Sequence, residues 1–542
     1  MSAISRRSWI TCALALLVGL AGAGRAEAVE PGWAEGQWIG GFDGADGPIY
    51  VAAQLEAAAG GAWTGALELP LQTDGTIKLD RVKMTDTSLH FDVRGEKTRL
   101  EFDGKRRDAG RVTGTVRQGR GSASFELLKV ATLPPARLDA IAGNYELEPG
   151  HEVLVARSPG GLIYVDQDRG RLGALFALDD HTLVGGPSLG AGYPIELKIE
   201  VPSAGTAQVD RIHWSWRGGA SAIGMRRHPY RAEPVSFPSG SVRLSGTLLL
   251  PDRPGPHPAV VMIHGSGPAT RDALWPWADM YARAGIAVLI HDKRGTGAST
   301  GSWATATFEE LADDAVAAVH LLQARPDVDP RRVGLHGMSQ GGWIAPLAAK
   351  RAPDVAFIIA ESAPAMTPVE HERLRVPYQL AADGFPADAI AHAVSFMDQK
   401  FEVARSGDGW SELQAAMARG ASEGWLSYVN PPPSLENLRW NWEHILSYDP
   451  APALEAVSCP MLVLYGGLDT IVPARVHKDR MQAALEHART RDVTIKVFDQ
   501  ANHAFLQAVT GGRRETPALK GFVAGYLGTH VAWLSEHHLT TL

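Results

Sequence analysis

The chain has 542 residues, 45% of them apolar and 21% charged, with a net charge of −8. That length exceeds one compact domain. The composition excludes a disordered, collagenous or many-spanning membrane chain, and charge without basic runs gives no nucleic-acid footprint. Two cysteines, Cys12 and Cys459, cannot build a disulfide framework or a Cys-rich zinc site.

Residues 1–28 read as an export signal. Arg6 and Arg7 precede an uncharged run from Ser8 to Gly24, and Ala26-Glu27-Ala28 supplies a small-x-small cleavage pattern. The run is short for a membrane span, which needs about 20 apolar residues, so no stable span is expected once the signal is removed. Ser5-Arg6-Arg7-Ser8 also resembles a twin-arginine signal, leaving the Sec and twin-arginine routes both open. The expected location is periplasmic or extracellular. Cleavage would remove three Arg and one Glu, moving the net charge to −10, and would leave Cys459 as the sole cysteine.

From residue 29 to 231 the pattern has period two with frequent glycine turns, as in Leu89-His-Phe91-Asp-Val93 and Ile195-Glu-Leu197-Lys-Ile199. Such runs predict antiparallel β structure. Leu133-Pro134-Pro135 reads as a linker, dividing the region into β-rich units at 29–132 and 133–231, each sandwich- or barrel-like. Each half opens alike, with Gly36-Gln-Trp38 and Gly143-Asn-Tyr145, which hints at a repeat. No catalytic constellation falls here, so a structural appendage or a binding module is expected.

From 232 to 542 apolar β-branched runs alternate with helical stretches, including Phe308 to Gln323 and a C-terminal helix from Pro517 to Leu534. This alternation predicts a mostly parallel sheet with helices on both faces. Residues 367–450 interrupt it and read as a helical cap. The cap carries Trp410, Trp425, Trp440 and Trp442, expected as an apolar wall over the site. Glu370 and Glu372 at its start are the obvious acidic groups for recognising a substrate ammonium; Arg373 and Arg375 beside them make surface ion pairs the simpler expectation.

The chemistry-bearing residues sit at predicted strand ends. Gly337-Met-Ser339-Gln-Gly341 follows a strand and opens a helix, the context in which G-x-S-x-G exposes a nucleophilic hydroxyl. His264-Gly-Ser266-Gly-Pro268 ends another strand. Its backbone N–H groups and that of Gln340, next after the serine, suit an oxyanion hole; Ser266 is the first choice and Gly265 the second. Asp292-Lys-Arg294-Gly-Thr-Gly297 lacks the phosphate-loop pattern and reads as a structural loop near the site. Asp469 and His503 each follow a later strand, giving the order Ser339, Asp469, His503. Glu361, also at a strand end, is the alternative acid.

Together, His264-Gly-Ser-Gly-Pro268, Asp292-Lys-Arg-Gly-Thr-Gly297, Gly337-Met-Ser-Gln-Gly341, Gly467-Leu-Asp469 and Asn502-His503 resemble bacterial α/β-hydrolase serine esterases. That group is allied to serine aminopeptidases, dienelactone hydrolases and prolyl-oligopeptidase-type domains. The resemblance spans about 235–542. It implies an α/β-hydrolase fold with a helical cap, hydrolysis of a small-molecule carboxylic ester by Ser339, Asp469 and His503, an oxyanion hole from Ser266 and Gln340, and no cofactor or metal. A peptidase or amidase on the same triad is the alternative, and a non-catalytic binding protein a remote one. Oligomeric state is left open.

Overall fold

A computed structural model describes residues 32–540 except 45–46, 59–60, 71–75, 95–98, 159, 203–207 and 220. The expected export segment lies outside the described residues. The described chain divides into two compact units, one of 32–227 with Arg514–Gly521, the other of 228–513 with 522–540.

The first unit holds two closed barrels of eight strands each, antiparallel throughout. Their strands run from Gly36–Gly44 to Gly121–Lys129 and from Gly143–Glu148 to Ser221–Arg227. Inward-facing residues fill them, including Trp38, Phe91 and Phe102 in one and Tyr145, Tyr164 and Trp214 in the other. Ile39, Tyr50 and Ala52 of the first pack against Phe176, Val184 and Ala191 of the second. Closure leaves neither sheet an unpaired edge. The expected linker at Leu133-Pro134-Pro135 instead opens a helix, Pro135–Ile141, because proline is tolerated in a first helical turn.

The second unit is built on one eight-stranded sheet. Its strands are β1 (Tyr230–Ser239), β2 (Val242–Pro251), β3 (His257–Ile263), β4 (Ala287–His291), β5 (Val328–Met338), β6 (Ile358–Glu361), β7 (Met461–Gly466) and β8 (Val493–Phe498). Their order is β1-β2-β4-β3-β5-β6-β7-β8; the last six are parallel and β2 is antiparallel to its neighbours. Every residue of β3, β4, β6 and β7 is buried, so both faces of the sheet's middle are covered. The expected boundary at 232 falls inside β1, which pairs with β2 from Tyr230 onward and places the start of the unit at His228.

The helices of seven residues or more are α1 (Trp275–Arg283), α2 (Phe308–Gln323), α3 (Gly341–Arg351), α4 (Pro368–Ala382), α5 (Ala387–Ser406), α6 (Trp410–Glu423), α7 (Leu435–Asn441), α8 (Ala474–Glu486) and α9 (Tyr526–Glu536). Thr307 and Glu310 form a reciprocal capping box at α2, and Thr367 and Glu370 form one at α4. Helices α4 to α7 make the cap and bury their own apolar cluster around Phe396, Leu413 and Trp425. The C-terminal helix begins at Tyr526 rather than Pro517. Before it, Arg514–Gly521 pairs with the second barrel, where the N–H groups of Leu189 and Gly190 donate to Leu519 O (2.7 Å) and Pro517 O (2.9 Å). No helix among the described residues is long and apolar enough to cross a membrane.

Candidate active site

The parallel register aligns the strand ends from which the candidate residues project. Ile263 pairs with Gly337, Met338 with Glu361, and Gly466 with Phe498. Directly after β5, Ser339 takes φ 54°, a left-handed conformation costly for a residue with a Cβ. The turn is tight enough to demand glycine on both sides. A Cβ on Gly337 would lie 2.1 Å from Gly341 O, and one on Gly341 would lie 2.6 Å from Ile263 O. Ser339 N–H donates to Glu361 O at 2.8 Å, which ties the elbow to β6. Helix α3 starts two residues later, so its positive end lies at the serine.

Asp469 and His503 are brought together by β7 and β8. His503 Nδ1–H donates to Asp469 Oδ2 at 2.8 Å, which assigns that proton to Nδ1. The other carboxylate oxygen accepts the N–H groups of Ile471 and Val472, both at 2.8 Å, so Asp469 is held from two sides while fully buried. The histidine loop is folded by Asn502, whose Oδ1 accepts from Ala504 N–H and Leu506 N–H. Ser362, the residue after β6, donates its hydroxyl to His503 O at 3.0 Å. Adjacent residues Glu361 and Ser362 thus anchor both the serine and the histidine.

The loop after β3 lies against the elbow, since a Cβ on Gly265 would be 3.4 Å from Ser339 Cβ and 3.9 Å from its Oγ. Ser266 follows Gly265 on that loop and Gln340 follows Ser339 on the elbow, so the two predicted oxyanion donors come from two loops that meet at Gly265 and Ser339. His264 donates Nε2–H to His291 O at 2.5 Å; burial, reinforced by His291, lowers its pKa to about 3 and keeps it neutral. In the loop after β4, Asp292 accepts the Arg271 guanidinium and the N–H groups of Arg271 and Ala298, and Arg294 grips Asp314 twice at 2.8 Å. Those two residues are structural, as the sequence suggests. The Arg271 side chain is taken up by Asp292.

Glu361 is not placed as an acid for His503. Its carboxylate accepts from Tyr526 Oη at 2.7 Å and faces His530 Nε2 and His336 Nε2, the latter at 3.1 Å. Burial pushes this carboxyl up, but His336 and His530 outweigh it and hold it well below the usual range. His336, Glu361 and His530 are the one group of metal-ligand types that converges among the described residues, all of them buried.

One expectation about the cap is corrected and another is met in part. Trp425 is buried in the cap's own core against Phe396, Trp410 and Trp442 pack on that core, and Trp440 stacks on His444, so the tryptophans hold the cap together rather than wall the site. Glu370 and Glu372 do not make the expected surface pairs alone. Glu370 accepts from Thr367 N–H and Oγ1 at the start of α4 and pairs with Arg480. Glu372 takes two bonds from the buried Arg375 and one from Asn430; burial pushes its carboxyl up, but Arg375 holds it at about 2. A cavity of about 480 Å³ on the cap is lined by Arg405, Arg439, Trp440, Trp442 and Glu443 and contains no triad residue.

Sequence reasoning missed three residues. His371 on α4 lies edge-on to Trp343 and faces His477 Nε2 at 3.4 Å. Ala365 N–H donates to His477 Nδ1 at 3.1 Å, so His477 carries its proton on Nε2 and His371 carries its own on Nε2. Burial lowers both to about 3. Lys293 is buried after β4 and reaches back to the elbow. Its sequence signal was the charged run Asp292-Lys-Arg294 directly after an apolar strand.

Comparison with known proteins finds similarity within the second unit and to hydrolases. Residues 239–478 match the family described as X-Pro dipeptidyl-peptidase (S15 family). Esterase EstD of Thermotoga maritima is 27% identical over 300 residues, 53% of this chain and 64% of that protein. Thiohydrolase aneE of Aspergillus aculeatus is 36% identical over 106 residues, 19% of this chain and 32% of that protein. The chain therefore spans less than two thirds of the length of these curated relatives. The solved esterase Pf2001 of Pyrococcus furiosus is 17% identical with a TM-score of 0.38, covering 57% of this chain and 91% of that one.

Proposed function

Since the chain is an α/β hydrolase of the serine esterase/peptidase type, we propose that it cleaves carboxylic esters through Ser339, Asp469 and His503. The observations that carry this reading are the Asp469–His503 bond and a serine held in the elbow conformation. His503 takes the Ser339 proton, Ser339 Oγ attacks the acyl carbon, and the N–H groups of Ser266 and Gln340 receive the developing oxyanion. His503 then protonates the leaving alkoxide and activates water to release the acyl group.

An ester is favoured over a peptide because both acidic groups at the start of the cap are already occupied by protein donors, leaving no evident partner for a substrate ammonium. The matching family is nonetheless a peptidase family, so a peptidase is the second reading. The test compares short-chain p-nitrophenyl esters with aminoacyl and prolyl p-nitroanilides, for the wild type, Glu370→Gln and Glu372→Gln. Ester hydrolysis should dominate and survive both changes. An amidase activity that either change selectively removes would establish the peptidase. Absence of fluorophosphonate labelling at Ser339 would leave the non-catalytic reading.

Export is proposed as well, supported by Arg6, Arg7 and the uncharged run after them. Activity that fractionates with the cytoplasm would contradict it.

A further inference from the structure

We propose that Lys293 is a positioning residue that fixes the oxyanion hole, holding by one ammonium the peptide that carries Ser266 N–H and the side chain of Gln340. The inference rests on the triad reading above. Lys293 Nζ donates to Gly265 O at 2.9 Å and to Gln340 Oε1 at 2.8 Å. These two acceptors belong to the two loops from which the oxyanion donors are drawn.

A peptide unit is planar and trans, so the carbonyl of Gly265 and the N–H of Ser266 point in opposite directions within one plane. Anchoring Gly265 O on Lys293 therefore sets where Ser266 N–H points. A flip of that peptide would turn a carbonyl toward the oxyanion instead of a donor, and Gly265, with no Cβ, offers the least resistance to such a flip. Gln340 is the second donor residue, and its side chain is held by the same ammonium. The loop of Lys293 is itself pinned to the Gly265 loop, because Lys293 N–H donates to Ala269 O at 3.1 Å and Thr296 Oγ1 donates to Ala269 O and Lys293 O, both at 2.7 Å.

Neighbouring carboxylates do not claim Lys293. Asp292 is taken by Arg271 and Asp314 by Arg294. Burial lowers the ammonium to about 7, against the opposing pull of Asp314. A lysine keeps at least two N–H groups whether charged or neutral, so the two bonds survive deprotonation.

The experiment uses the full chain as Lys293→Met, which keeps the stem and removes the donors, with Lys293→Gln as a shorter variant that retains amide donors. Rates are normalised to sites titrated with a fluorophosphonate. We expect Lys293→Met to lose about 10–100-fold in kcat on a short p-nitrophenyl ester, somewhat less than deleting a donor outright. KM should stay within about 3-fold, affinity for an alkylboronic acid that mimics the tetrahedral adduct should fall in proportion to kcat, and the loss should be equal at pH 6.5 and 8.5. A loss that appears only at the lower pH would mean that the charge acts rather than the positioning. A kcat within about 2-fold of wild type per titrated site, or an unchanged boronate affinity, overturns the proposal. If Lys293→Met does not fold, Lys293→Leu, which also lacks donors, decides by the same ratios, and Lys293→Gln should recover part of the loss through its amide donors. Turnover by Ser339→Ala, measured alongside, would instead overturn the triad and this inference with it.

Discussion

Cations grip backbone carbonyls in both units, half-buried in the barrels and buried in the sheet unit, but they do different work. In the barrels the device is repeated. Trp38 donates to Ala34 O four residues back, and the in-register partner of Trp38, Lys129, lies over its ring and donates to Trp33 O. Tyr145 likewise donates to Ile141 O four residues back, and its in-register partner Arg226 lies over the ring and donates to Ala140 O and Ala142 O. Each clamp joins the first strand to the last and ties in the segment leading to it. Lys293 instead bridges the two loops that follow the paired strands β3 and β5, and both loops serve the proposed nucleophile. The barrel cations close a fold, whereas Lys293 orients reacting groups, so damage to them should be read in stability and in rate respectively.

The separation is broken most severely at the triad. Ser339→Ala should cost roughly 10⁴–10⁶ in kcat with melting little changed, because the hydroxyl has no substitute. Asp469→Asn should cost on the order of 10⁴, since His503 loses the acceptor that sets its tautomer. Glu361→Gln should do the reverse, unfolding at lower denaturant but turning over normally per titrated site, because its carboxylate serves His336, His530 and Tyr526. A rate collapse in Glu361→Gln together with a mild effect in Asp469→Asn would reverse the assignment of the acid.

Acid should expose the catalytic unit's dependence on neutral buried histidines. His264, His371 and His477 are lowered to about 3 by burial, below the value near 6.5 of an unfolded histidine. Folding therefore favours their neutral forms. The stability they give is complete above pH ~6.5 and is lost as pH falls toward about 3, at roughly 1.4 kcal/mol per pH unit for each. Urea midpoints at pH 7.5, 6.0 and 5.0 should fall steadily. A flat profile between pH 7 and 5 would mean that these histidines are solvated or differently paired.

How much of this was written in the sequence differs between the units. The elbow, the Asp469 turn and the His503 loop are local signals at strand ends, and parallel register brings such ends together, so the candidate site was legible. The barrels were legible as short period-two strands, and the paired Gly36-Gln-Trp38 and Gly143-Asn-Tyr145 mark the same position in each. The clamps were not, because they depend on the register between first and last strands about 80 to 90 residues apart. Lys293, His371 and the burial of the cap tryptophans are likewise tertiary facts. An amphipathic helix shows that it has an apolar face but not whether that face meets the site or its own neighbours.

The clamps themselves give a smaller, purely structural effect. Arg226→Met removes donors to several carbonyls and leaves Tyr145 without its cation, while Lys129→Met removes one carbonyl contact. Unpaired buried carbonyls cost about 1–3 kcal/mol each, so Arg226→Met should destabilise the β unit more than Lys129→Met. Ester turnover at 25 °C should change in neither. The measurement is denaturation followed by barrel tryptophan fluorescence beside an esterase assay. Equal losses would show that the second barrel does not rely on its larger clamp.

The smallest effect expected is that of removing the β unit altogether. All five proposed site residues lie beyond residue 260, and the sheet that positions them begins at β1, so a chain starting at residue 228 keeps every strand of that sheet. Starting at 232 instead would cut into β1 and expose the edge of β2. One segment complicates the cut. Arg514–Gly521 lies between the His503 loop and α9 in sequence, yet its carbonyls at Pro517, Leu519 and Lys520 accept from Ser188, Leu189, Gly190 and Leu172 of the second barrel. Without the barrel that segment loses its partners and becomes a loop closed at both ends by the sheet unit, a modest entropic cost. The 228–542 chain should hydrolyse a short p-nitrophenyl ester with kcat/KM within about 5-fold of the full chain, since a loosened loop flanking His503 costs at most about 1 kcal/mol of transition-state stabilisation. Replacing Arg514–Gly521 by a short Gly-Ser link in the full chain should produce a similar small change, because it releases the same tether from the other side. A folded 228–542 chain that labels with a fluorophosphonate yet does not turn over would show that the barrels, through this segment, complete the site.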